Sequence, residues 1–158
     1  MRLLLFKLLT SFVSCNGQTE DSEISNEISS IVKQISKENM VTGSTVGFPG
    51  TQPKQWDRFV RLQKKATDKE LILLTEHKNE AVRCYAFQAL VMRNNGKCFE
   101  ILKAHLTDNK YVKTFFGCTM RVGVDRVSDY FIQCVWPPFD KNSFTLSKQQ
   151  KIELDSIL

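Results

Sequence analysis

Apolar residues recur at helical spacing through the middle of the chain. Between positions 80 and 93 they fall at i, i+3, i+4, i+7 and i+8, in a stripe made of Val82, Tyr85, Ala86, Ala89 and Leu90. A second stripe lies beside the first and contains Cys84, Phe87 and Val91. A helix that is apolar most of the way round is usually enclosed by its neighbours. The pattern therefore predicts a central helix with other helices on both sides.

A shorter predicted helix precedes the central one. Thr67 and Glu70 have the spacing of a capping box, in which a hydroxyl and a carboxylate bind the first free backbone N–H groups of a helix. Leu71 and Leu74 give this helix an apolar side. Asn79 is a favoured N-cap for the central helix. Residues 67–93 are therefore expected to form two antiparallel helices joined by a tight turn.

A weaker copy of this hairpin follows. It has a candidate first helix at 97–106, and its second element repeats three residues from the start of the central helix at an offset of 30 positions: Asn79/Asn109, Val82/Val112 and Arg83/Lys113. Helical hairpins that repeat at this spacing are typical of α-solenoids. In the second copy Phe116 replaces the small Ala86, so the packing there is expected to differ.

The Asn-x-x-Val-Arg/Lys pattern at the start of each second helix resembles the HEAT and HEAT-like repeats, over about residues 67–119. The resemblance implies an all-α fold, a short right-handed stack of helical hairpins with about two repeats plus flanking helices. Such stacks usually bind other proteins on the groove between their helices. An ordinary helical bundle with two chance matches is the alternative.

The flanking segments predict further elements. Isoleucines at helical spacing predict an amphipathic helix at 22–38, and glycines predict an extended loop at 40–52 in which Phe48 is the one large anchor. A helix is also expected from Pro53 to about 66. A further helix is expected over 127–135, and a strand over 130–136 is the alternative. A turn is expected at Gly123 and Asp125. Ser147 and Gln150 resemble a second capping box, which would begin a C-terminal helix.

The first fifteen residues, MRLLLFKLLTSFVSC, have the layout of an export signal, with Arg2 before a short apolar run. Residues 12–15 resemble the lipobox of bacterial lipoproteins, which implies that Cys15 becomes the lipidated first residue of the mature chain. Phe12 stands where leucine is usual, and Lys7 interrupts the apolar run. Ordinary secretion to the periplasm or beyond, or an uncleaved amphipathic N-terminus, are the alternatives.

These patterns divide the 158 residues into four parts. The signal peptide and lipobox occupy 1–15, and a tether, the amphipathic helix and the glycine-rich loop occupy 16–52. The HEAT-like helical domain spans 53–136, and a linker with the C-terminal helix spans 137–158. The hydrophobic share of 42% and the charged share of 25% are ordinary for one globular domain.

The basic balance is mild. The net charge of +5 drops by two, to +3, once Arg2 and Lys7 are removed with the signal, so an anionic partner is not required. A cationic stripe on the helix after Pro53 is nevertheless a candidate binding face. The candidate face consists of Arg58 and Arg61 from this stripe, together with Arg83 and Lys113, which occupy equivalent positions in the two repeats. The alternative is that the stripe is a solvated helix face. Arg83 and Lys113, at equivalent repeat positions, are expected to be partly structural and to bridge neighbouring turns.

The cysteines leave two interpretations open. Besides Cys15, four cysteines permit disulfides in an oxidising compartment, and successive repeats would favour the pair Cys84 and Cys118. Buried free thiols are the alternative. No Cys-x-x-Cys pair appears, and His77 and His105 lie in turns of different repeats, so we expect no metal site and no cofactor.

The sequence shows no catalytic motif, such as a Gly-rich phosphate loop, GxSxG or HExxH. We therefore expect a protein-binding or scaffold module, tethered to a membrane of the cell envelope through Cys15, and not an enzyme. The partner would be another protein of unknown identity. The alternative is a nucleic-acid-binding or DNA-repair protein with a basic HEAT-like face, if the chain is not exported.

Overall fold

The computed structural model describes residues 23–117, 122–137 and 141–158. Within them the elements follow in the order α1 (Asn26–Glu38), β1 (Met40–Val46), α2 (Lys54–Lys65), α3 (Asp68–Leu74), α4 (Glu80–Met92), α5 (Cys98–Ala104), β2 (Tyr111–Gly117), β3 (Gly123–Arg126), α6 (Val127–Val135) and α7 (Lys148–Asp155). A three-stranded mixed sheet accompanies the helices.

The predicted all-α fold, a right-handed stack of helical hairpins, is therefore wrong. The protein is mixed α/β, and its architecture is not a solenoid. The first helix of the supposed second hairpin exists as α5. Its expected partner helix is instead the strand β2, so the second repeat is not a helical hairpin.

The alternation of side chains explains why residues 111–117 form a strand. Val112 and Thr114 are buried, whereas their neighbours Tyr111 and Lys113 are exposed. Side chains that alternate with a period of two lie on opposite faces of a strand, and β-branched residues fit that geometry. Matching residues that lie 30 positions apart compares residue types only. It does not detect the alternation of buried and exposed residues in 111–114.

Two further strands lie where a loop and a turn were predicted. Within the expected 40–52 loop, β1 pairs in parallel with β2, so that Met40 lies opposite Lys113. Where Gly123 and Asp125 were expected to form a turn, β3 pairs antiparallel with β2 and places Val124 opposite Lys113. The strand order is β1-β2-β3. Parallel β1 and β2 need a crossover, which α2 to α5 supply.

The predicted hairpin of residues 67–93 is confirmed. Thr67 and Glu70 form the capping box of α3, and the Asn79 side chain accepts the backbone N–H of Val82 at the start of α4. Every residue from Ala81 to Val91 is buried, which is the enclosure expected from an all-round apolar helix. Its neighbours are not only helices, because the sheet also packs against it.

Other helices also appear where the sequence predicted them. The isoleucine stripe of α1 is buried, α2 follows Pro53, and α6 covers 127–135. Ser147 and Gln150 form the second capping box, at the start of α7. One hydrophobic core joins residues of α1 to α7 with residues of β1 and β2. None of the helices in the described ranges is long and apolar enough to cross a membrane.

Polar side chains attach α4 to its surroundings. The buried hydroxyl of Tyr85 accepts the backbone N–H of Thr42 at 2.8 Å, which ties β1 to the central helix. At the other end, the Arg93 guanidinium donates to the carbonyl of Ala66 at 2.8 Å and pairs with Asp68 at 2.6 Å. Arg93 therefore holds the end of α2 and the start of α3 against the end of α4.

Glu70 joins the beginnings of two helices. Its Oε2 accepts the N–H and the hydroxyl of Thr67, and its Oε1 accepts the N–H and the hydroxyl of Ser25, the N-cap of α1. Burial raises the pKa of Glu70, but these hydrogen bonds outweigh burial and lower the pKa to about 2. The ionised carboxylate is the form that this junction requires.

Tyr85→Phe should lower the free energy of unfolding by about 1–3 kcal/mol, because it leaves the buried N–H of Thr42 without its acceptor. The measurement is urea unfolding of the variant beside the wild type. Tyr111→Phe removes a hydroxyl from a side chain that is 60% exposed and should change stability by less than about 0.5 kcal/mol. Equal effects of the two variants would contradict the role assigned to Tyr85.

Glu70→Gln should reduce stability at neutral pH, because the amide nitrogen cannot accept hydrogen bonds. The pKa of Glu70 is lower in the folded chain, about 2, than the ordinary value of 4.5. Its contribution is therefore complete above pH 4.5 and is lost as the pH falls towards 2. Unfolding curves of wild type and variant should converge over that interval. With the exposed Glu100→Gln as control, a gap that stays constant down to pH 2 would refute the assignment.

Candidate functional site

Phe48 is displayed at the tip of a tight turn between β1 and α2. Val46 and Thr51 exchange both backbone hydrogen bonds, at 2.9 and 3.1 Å, and close the turn. Gly47 and Gly50 have φ of +69° and +67°, which side chains with a Cβ rarely adopt. The N–H of Gly47 also donates to Gly117 at the end of β2. The turn is therefore fixed at its base, while Phe48 remains 87% exposed.

A cavity of about 320 Å³ begins beside this turn, and we call it the α2 groove. It lies between the C-terminal end of α1, the sheet and the N-terminal end of α2. Its lining combines apolar and charged side chains: Glu38, Met40, Thr42, Val46, Pro53, Lys54, Gln55, Arg58 and Phe115. Such a mixture of apolar surface and a few placed polar groups is typical of binding sites.

A buried glutamine fixes the wall of the α2 groove. Gln55 is 3% exposed, and its Nε2 donates to the carbonyls of Ile35 and Met40 at 3.2 and 2.8 Å. Its Oε1 accepts a hydrogen bond from Arg58 at 2.8 Å. Arg58 also lies 3.5 Å from Glu38. The guanidinium is therefore held in one orientation at the groove, with its side chain 22% exposed.

Two other residues of the predicted binding face lie near this groove. Arg61 lines a second cavity of about 220 Å³ together with Arg58, Lys54, Gln34 and Asp57, so the two cavities share Lys54 and Arg58. Lys113 is exposed on β2 opposite Met40, which lines the α2 groove. The structure thus places Arg58, Arg61 and Lys113 around one region.

Arg83 lies in a different place. It lines a cavity of about 330 Å³ between the α3–α4 turn and the loop after α5, which we call the loop pocket. Its Nη1 donates to the carbonyl of His77 at 2.7 Å, and its Nε lies 2.9 Å from Asp108, although not aligned as a hydrogen bond. With its side chain only 9% exposed, Arg83 bridges two loops, as expected of a structural residue.

Two histidines also line the loop pocket. The Nε2 of His105 lies 3.0 Å from Oε1 of Glu76, and its ring contacts Phe131 at 5.0 Å between centroids. His77 accepts the backbone N–H of Asn79 at its Nδ1, so the neutral ring carries its proton on Nε2. Burial lowers the pKa of His77, and the charges of Lys78 and Arg83 lower it further.

Cys84, Cys98 and Cys134 are buried and form no disulfide with one another. Burial raises the pKa of the Cys98 thiol to about 12 and that of the Cys84 thiol well above its ordinary value, which keeps an unpaired thiol at either position protonated. Cys118, the predicted partner of Cys84, and the lipidation site Cys15 lie outside the described residues. The pairing and the lipidation both stay predictions.

The described residues contain no group of three or more histidine, cysteine or acidic side chains that could hold a metal ion. Two carboxylates, Glu76 and Asp108, come close to His105, at 3.0 and 3.7 Å, but each is already engaged by a protein donor. The lining side chains of both cavities offer charge pairing and hydrogen bonding.

Sequence reasoning found the cations of the α2 groove but missed its apolar lining. The apolar lining forms only because β1 and β2 pair, which brings Met40 and Val46 close to Phe115. The sequence patterns predict a loop in place of β1 and a helix in place of β2. The alternation of residues 111–114 was the signal that could have revealed β2. The expectation that Phe48 anchors the glycine-rich loop is wrong, because its side chain is 87% exposed and backbone hydrogen bonds hold the turn instead.

Compared with models of known protein families and with curated proteins, the sequence matches none.

Proposed function

We propose that this chain is a lipid-anchored protein of the bacterial cell envelope that binds another protein through Phe48 and the α2 groove. The observation that carries the binding proposal is Phe48, a large apolar side chain held in solvent by a fixed turn. The function is binding without a chemical step, so it involves no catalytic residue and no cofactor.

Phe48 favours a protein partner for two reasons. Burying an exposed phenylalanine contributes about 1.5–3 kcal/mol, and aromatic residues are enriched in protein interfaces. The closed turn between Val46 and Thr51 also means that little backbone entropy is lost when Phe48 becomes buried. A side chain displayed in this way is suited to insertion into a pocket of a second protein.

The α2 groove defines the chemistry expected of that partner. Lys54 and Arg61 are exposed, and with Arg58 the two cavities carry three cations against the carboxylates of Glu38 and Asp57. A partner would present an apolar pocket for Phe48 and acidic side chains for these cations. Such charge complementarity contributes mainly to specificity and to the rate of association.

Nucleic acid is a weaker candidate. That hypothesis needed Arg58, Arg61, Arg83 and Lys113 on one basic face, but the Arg83 guanidinium is engaged by His77 and Asp108 in a separate pocket. The α2 groove also includes apolar floor residues, Met40 and Phe115, which phosphate contacts do not use. An exported chain would in addition not meet DNA.

The lipid anchor is the part of the proposal that rests on residues 12–15. We expect intact mass measurement after membrane fractionation to give a chain that begins at Cys15 and carries a diacyl or triacyl mass. Cys15→Ala should abolish both the acyl mass and the membrane association. An unprocessed wild-type chain in the soluble fraction would refute the anchor.

The binding surface can be tested by photo-crosslinking in intact cells from position 48, with position 152 as the control. Ile152 is also a large exposed apolar residue, 53% exposed, on α7. A protein crosslinked from position 48 and not from 152 would then be purified and its affinity measured. Phe48→Ala should weaken binding about thirtyfold, as expected for loss of about 2 kcal/mol at an interface anchor.

Ile152→Ala should leave that affinity unchanged. Loss of affinity in both variants, or in neither, would contradict the assignment of Phe48. Crosslinking to nucleic acid in place of protein would refute the protein-binding proposal.

A further inference from the structure

Hydrogen bonds connect the two loops that form the walls of the loop pocket. Arg83 donates to His77 of the α3–α4 turn and pairs with Asp108 of the loop after α5, so one side chain sets the separation of the two walls. Ser128 at the start of α6 also donates its N–H to the carbonyl of Asp108. The pocket therefore has a defined shape before any ligand arrives.

The carboxylates of the loop pocket are already engaged. Asp108 accepts from Arg83 and from the backbone N–H of Lys110 at 3.2 Å. Glu76 lies 3.0 Å from His105. The charge of Asp108 is therefore compensated within the pocket wall, whereas Glu76, whose side chain is 73% exposed, leaves one carboxylate against the two lysines of the pocket.

The remaining groups are hydrogen-bond donors. Lys78 and Lys110 are exposed, lie on the two opposite loops, and form no ion pair within the described ranges. The Nε2–H of neutral His77 is a third donor, because Nδ1 is occupied by Asn79. Burial is the main cause of the lowered pKa of His77, and the positive charges of Lys78 and Arg83 lower it further.

We propose that the loop pocket binds a phosphate group, held between Lys78, Lys110 and the Nε2–H of His77. Three donors from two walls match the several acceptor oxygens of a dianionic tetrahedral group. The volume of about 330 Å³ leaves room for a small group attached to the phosphate. The ligand is thus inorganic phosphate or a small phosphate monoester, and this site is separate from the α2 groove.

The test is a titration of the isotopically labelled full chain with inorganic phosphate at constant ionic strength, followed by the imidazole resonances of His77 and His105. We expect a saturable shift of the His77 resonances. A parallel titration with glycerol 3-phosphate distinguishes the two sources, because tighter binding of the ester assigns an esterified ligand and tighter binding of phosphate assigns the free anion.

Lys78→Gln and Lys110→Gln should each weaken phosphate binding about tenfold, since each removes a charge-assisted hydrogen bond from an exposed side chain. Lys113→Gln also removes a lysine charge, but from an exposed position of β2 outside the loop pocket. It should leave the dissociation constant of phosphate unchanged. Both pocket variants should unfold at the wild-type temperature.

Three results would overturn the proposal. One is a phosphate titration without saturation, and a second is equal weakening by Lys113→Gln and by the pocket variants. The third is a saturable shift that Lys78→Gln and Lys110→Gln leave unchanged. A failure here would leave the protein-binding surface at Phe48 unaffected, because the two sites share no lining residue.

Discussion

The enclosure of α4 is the constraint on which the rest of the structure depends. From Ala81 to Val91 each residue is buried, so every direction around this helix has to be occupied by another element. Helices α1, α2, α3 and α6 and the sheet pack around it. The polar attachments follow from the same enclosure. Because the Tyr85 hydroxyl cannot reach water, it must find its partner in the protein, and Thr42 of β1 supplies that partner.

Local patterns predicted the helices because their information lies within a few residues. The capping boxes at Thr67 and Ser147 and the stripe on α4 each extend over one or a few helical turns. The pairing of the strands could not be found in this way, since β1 pairs with a strand on the far side of four helices. Gly43 and the nearby turn glycines made β1 look irregular, and three shared residue types made β2 look like a repeat of α4.

In the candidate site, too, contacts between residues close in sequence were predictable, and contacts between distant segments were not. Arg58 and Arg61 lie one helical turn apart and were recognised as neighbours from sequence alone. The apolar floor depends on the register in which Thr42 lies opposite Phe115, which local spacing does not contain. Arg83 was grouped with the cations by repeat position. In the structure its guanidinium pairs with Asp108, which lies in the loop after α5.

The junction at Glu70 has a mechanical consequence. Ser25 is the residue through which the preceding chain enters α1, and both its N–H and its hydroxyl are bonded to the Glu70 carboxylate. Tension applied to the segment ahead of Ser25 is therefore shared with α3, and through Arg93 and Asp68 with the end of α4. The first turn of α1 does not carry that load alone. A pull on the chain ahead of Ser25 therefore has to break the hydrogen bonds between Ser25 and Glu70 before α1 can separate from α3.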